Sequence, residues 1–159
     1  MRKLLVIASL FAVFAAVASQ ASAGTAQVSV SMSFTEPILQ DVKSGCPVFP
    51  DGFCGTGVVV PFGKATETIL FGGACGGDCD FRTVNVAGGS IYLDEFFSNP
   101  TCPGSCRPNR AEPGGGTLTD VVVGGTGMFA RASGILSGGV FAAGPQSAIK
   151  LSGTITLQT

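Results

Sequence analysis

The chain has 159 residues, with 9 Lys and Arg, 10 Asp and Glu, no His and a formal charge of −1. That length fits a single domain, and a mildly acidic chain with 12% charged residues has no electrostatic footprint for nucleic acid. Without His, the commonest general base and the commonest metal ligand are both missing.

The first element is a targeting segment. Arg2 and Lys3 form a short positive region, Leu4 to Ala18 is an unbroken apolar run of 15 residues, and Ala21-x-Ala23 places small residues where signal peptidase cleaves. A spanning helix needs about 20 apolar residues. The run therefore reads as a signal peptide over residues 1–23, leaving no membrane anchor and one domain over 24–159, secreted or periplasmic. Removing 23 residues from 159 leaves 136, which hold all 24 Gly and all 9 Pro. Arg2 and Lys3 leave with the signal, so Lys and Arg fall from 9 to 7 against 10 acids, a charge of −3.

Residues 26–35 alternate, with Ala26, Val28, Val30, Met32 and Phe34 on one face and Gln27, Ser29, Ser31, Ser33 and Thr35 on the other. Period 2 marks a half-buried antiparallel strand. Further strands are expected at 57–62, 65–71, 82–87, 90–97, 116–123, 128–136 and 139–142, with a Gly88-Gly89 hairpin turn. The final strand carries Ile149, Leu151, Ile155 and Leu157 on its inner face, interrupted by Gly153 as a bulge or barrel bend would do. Outside the signal no window has helical spacing, so the fold class is all-β: a small antiparallel up-and-down barrel of about eight strands, or a sandwich. Residues 36–55 and 98–115 resist strand assignment and read as long loops.

Six cysteines fall in three close pairs: Cys46 with Cys54, Cys75 with Cys79, and Cys102 with Cys106. In an oxidising compartment an even count reads as disulfides, and turns bring such neighbours within bridging distance. Six cysteines allow 15 connectivities, and the two C-x3-C pairs would also suit a zinc site. Export and the additional Cys46/Cys54 pair argue against zinc, so no metal or cofactor is expected.

Toward the C-terminus, Val123-Gly124-Gly125-Thr126-Gly127-Met128-Phe129-Ala130-Arg131-Ala132-Ser133-Gly134 resembles the G-G-T-G-x-F-x-x-A-x-G segment of dirigent proteins and allene oxide cyclases, and of the bacterial secreted barrels grouped with them. The resemblance is specific over about a dozen residues. It implies an eight-stranded antiparallel barrel and carries over no catalytic position. Independently of it, Gly124, Gly125 and Gly127 would permit a tight reversal at positive φ, and Phe129 would return inward.

Parity offers a candidate site. Glu67 shares a face with Ile69 and Phe71, Arg82 with Val84 and Val86, and Glu95 with Ile91 and Leu93. If those faces point inward, two carboxylates and a guanidinium enter the barrel together and could pair or hold a polar ligand. The competing reading makes them ordinary surface charges, because a one-residue slip reverses every face. Tyr92 should pack outward. The Gly runs are not phosphate loops, because no helix follows them. The expected function is non-catalytic binding of a small apolar ligand or an extracellular partner. The alternatives are an isomerase or cyclase acting on an apolar substrate inside the barrel, and a structural exoprotein with no ligand. Oligomeric state is not legible.

Overall fold

A computed structural model describes residues 24–37, 45–72, 77, 79–101 and 114–158. The signal segment lies outside the described residues. Eight strands follow one another: β1 (Thr25–Pro37), β2 (Gly52–Val60), β3 (Gly63–Leu70), β4 (Asp80–Val86), β5 (Gly89–Thr101), β6 (Gly114–Gly125), β7 (Ser133–Ala143) and β8 (Gln146–Gln158). Each pairs antiparallel with the next, and β8 returns to β1 in a continuous register from Thr25 opposite Gln158 to Pro37 opposite Gln146. Closure removes the exposed edges that an open sheet would leave for aggregation.

Strict alternation generates this wall. Along β1, Val30, Met32, Phe34 and Glu36 are buried while Ser29, Ser31, Ser33 and Thr35 face water. Opposite them on β8, Ile149, Leu151 and Ile155 point inward. The outer face of this pair is a hydroxyl surface, with Ser29 opposite Thr154 and Ser31 opposite Ser152.

Several expectations are corrected. The two assigned near 128–136 and 139–142 are a single strand, β7, because residues 127–129 form a 3-10 turn instead. β1 and β5 run on to Pro37 and Thr101, and β2 and β6 start at Gly52 and Gly114, shortening both long loops. Gly153 marks no bulge: its register is unbroken on both sides, and a Cβ there would strike the Ile135 carbonyl. The irregularities lie instead between β5 and β6, at Tyr92/Leu93 and Ser98/Thr101. Phe71 leaves the inward row; it is exposed and packs edge-on against Phe53 at 5.0 Å.

Up-and-down topology gives the barrel two unlike ends. The β2–β3, β4–β5 and β6–β7 connections share one end with the start of β1 and the finish of β8. That end is sealed by Phe129, fully buried and edge-on to Phe62 at 5.0 Å. Here the resembling segment makes its turn. Gly127 takes φ +58°, Met128 N–H donates to the Gly88 carbonyl at 3.1 Å, and Thr126 N–H donates to the Ser90 carbonyl at 2.9 Å. Thr126 is exposed, yet its Oγ1 accepts from Ser90 N–H at 2.9 Å. Gly124 also has positive φ, whereas Gly125 does not; a Cβ on Gly125 would collide with the Ser90 carbonyl.

At the opposite end lie the β1–β2, β3–β4, β5–β6 and β7–β8 connections. Cys46, Cys54 and Cys79 belong to it. Cys46 and Cys54 form a disulfide with Cα atoms 5.6 Å apart. Cys79 is also disulfide-bonded. Cys75, Cys102 and Cys106 lie outside the described residues.

Candidate functional site

Four strands deliver acids to the interior near the cysteine-bearing end. Glu36 continues the inward row of β1, Glu67 stands between Ala65 and Ile69 on β3, Glu95 follows Leu93 on β5, and Asp120 lies between Leu118 and Val122 on β6. Arg82, from β4, reaches into their midst with no exposed surface. All three candidate residues from the sequence, Glu67, Arg82 and Glu95, therefore meet inside the barrel.

Arg82 divides its donors among these acids. Nη1 donates to Glu67 Oε2, and Nη2 donates to Glu95 Oε2. Nε also donates to Glu95 Oε2, at 3.0 Å, and lies 3.3 Å from Asp120 Oδ2. Glu36 Oε1 is 3.9 Å from Nη1, while its Oε2 accepts from the Ser147 hydroxyl at 2.7 Å. Space for this convergence comes from Gly55, where a Cβ would lie 2.5 Å from Glu67 Oε1 and 3.0 Å from Glu36 Cγ.

One guanidinium cannot balance four buried carboxylates, because ionised groups without a partner are costly to desolvate. The excess is met by protons. Burial pushes Glu67 up to about 8 against the pull of Arg82, with Glu36 and Glu95 adding repulsion. Burial likewise raises Asp120 to about 7, helped by Glu95 and opposed by Arg82. Glu36 is raised too, by burial first, although Arg82 and the Ser147 hydroxyl favour its ionised form. Burial works against the charge of Arg82, but Glu95, Glu67, Asp120 and Glu36 outweigh it and keep the guanidinium protonated.

Glu36 Oε1, Glu67 Oε1 and both oxygens of Asp120 are buried without a hydrogen-bond donor. A proton on Glu36 or Glu67 lets those two acids bond to each other, and that contact is among the influences on Glu36. Burial thus favours the protonated forms of Glu67 and Asp120 up to near-neutral pH. Among the described residues no group of acids or cysteines is arranged to hold a metal ion.

Sequence reasoning missed Glu36, Asp120 and Ser147. Both acids keep the parity of their strands' inward residues: Glu36 follows Phe34, and Asp120 lies between Leu118 and Val122. Comparison with family models, curated proteins and solved structures finds no match for this chain.

Proposed function

We propose that this is an exported, disulfide-braced barrel that works through its outer wall by binding an extracellular partner, its interior serving as structure. The observation carrying this reading is the state of the interior. Val59, Val84, Ile91, Leu93, Phe129, Leu136 and Ile155 expose no surface, and neither do Arg82 and Asp120. Side chains with no accessible surface adjoin no space that a water could enter, so an apolar ligand would have to displace them. The outer wall, by contrast, presents Val60, Val123, Ile135 and Phe141, each more than half exposed. Export is supported by the signal-like N-terminus and the Cys46–Cys54 disulfide. Kinship with the allene-oxide-cyclase-like barrels is supported by the closed eight-stranded topology and the glycine turn before Phe129.

Titration with a fluorescent fatty acid tests the closed interior, followed by the methyl resonances of Leu93, Leu136 and Ile155. These signals should stay unmoved; saturable shifts in all three would overturn the reading. A proton-transferring isomerase or cyclase is the second reading, favoured by Glu67 and Asp120 holding protons near neutrality. It requires the same interior shifts with an apolar substrate, and turnover lost in Glu67→Gln.

A further inference from the structure

The registers place an apolar row across the outside of five strands: Leu70 opposite Phe81, Phe81 opposite Asp94, Asp94 opposite Val121, and Val121 opposite Ile135. Tyr92 stands beside this row on β5, its ring 5.8 Å from that of Phe81. Leu70 and Ile135 are exposed. At the row's centre, Asp94 interrupts the apolar surface with a carboxylate. Asp94 is half-buried, and its Oδ1 is buried without a hydrogen-bond partner.

We infer that this wall is the docking face of a protein partner, and that the partner presents a Lys or Arg flanked by apolar side chains, its cation meeting Asp94. The inference rests on the outer-wall reading above and gives it a place and a chemistry. A purely apolar partner would seal Asp94 away from water without a donor, and an acidic one would add repulsion. A cation set beside the half-buried Asp94 balances its charge, while apolar neighbours cover Phe81, Val121 and Ile135 together. Charge complementarity therefore selects the occupant.

Two soluble peptides, Thr-Leu-Arg-Leu-Thr and Thr-Leu-Glu-Leu-Thr, titrated into the isotope-labelled exported chain provide the test. The Arg peptide should shift amides of β4 to β7 and bind about fivefold more tightly than the Glu peptide. Asp94→Asn should erase that preference, and Ile135→Glu should weaken binding of the Glu peptide while leaving the fold intact by circular dichroism. Equal binding of both peptides, or shifts confined to other strands, would overturn the docking face. So would binding to phosphatidylcholine vesicles through the same amides with no response to the Arg peptide, which would make the wall a lipid surface. Failure here with unmoved interior methyls leaves the outer-wall reading standing, whereas shifted interior methyls defeat that reading itself.

Discussion

Arg82 carries one positive charge where four carboxylates converge, and no water reaches it. Arg82→Met should therefore cost about 3–5 kcal/mol at neutral pH, the range for removing one partner from a buried ion pair. Urea unfolding measures the loss, which should shrink at pH 5 as the acids take up protons. The acids also set a pH profile for the intact chain. Glu67 sits at about 8 in the fold against 4.5 for a free side chain. Between those values the folded chain keeps a proton that the unfolded chain has released. The Glu67 contribution to stability is thus complete below pH 4.5 and is lost as pH rises through 8, and that of Asp120 is complete below 3.8 and is lost as pH rises through about 7. Urea midpoints at successive pH values should decrease across this window. Glu67→Gln, which stays neutral throughout, should flatten the decline.

Among the elements, the 3-10 turn between β6 and β7 has the most specific requirements. Phe129 plugs the barrel from it, so Phe129→Ala should cost about 3–5 kcal/mol in denaturant unfolding. Gly127 has φ +58° and its added Cβ would meet the Gly88 carbonyl, so Gly127→Val should be strongly destabilising as well. Arg131 is exposed, and Arg131→Ala should fall within about 0.5 kcal/mol of the parent. The reversal and the inward Phe129 were legible in sequence from the clustered glycines. The 3-10 geometry of residues 127–129 was not, because their apolar Met128 and Phe129 read as the start of a strand. Asp120 was less legible. A lone acid inside an apolar strand signals interior charge only when a cation is known to reach it, and Arg82 comes from β4, two strands away around the barrel. Glu36 was hidden for another reason: the Pro that follows it reads as a strand end, yet β1 pairs with β8 through Pro37.

For the molecule as a whole, closure joins the most distant parts of the chain. Alternation reveals each strand locally, but it says nothing about partners, and a sandwich would satisfy the same pattern. Only the β1–β8 register decides for a barrel, and that pairing spans residues 25 to 158. Such non-local pairing must overcome loop-closure entropy before it is rewarded. Stopped-flow refolding with the disulfides intact should accordingly fall on the millisecond-to-second scale of β-barrels. Microsecond folding would contradict a rate governed by closure.

The same pairing has a bearing on protein engineering. Thr25 and Gln158 are direct neighbours across antiparallel strands, in the relation that two residues flanking a hairpin loop occupy. A short Asn-Gly linker from Gln158 to Thr25 would supply one more hairpin, and the chain could be reopened between Gly144 and Pro145. The permuted chain would begin and end beside the cysteine-bearing loops. A fused peptide or fluorophore would then project from the end that holds the buried acids, and the wall around Asp94 would stay untouched.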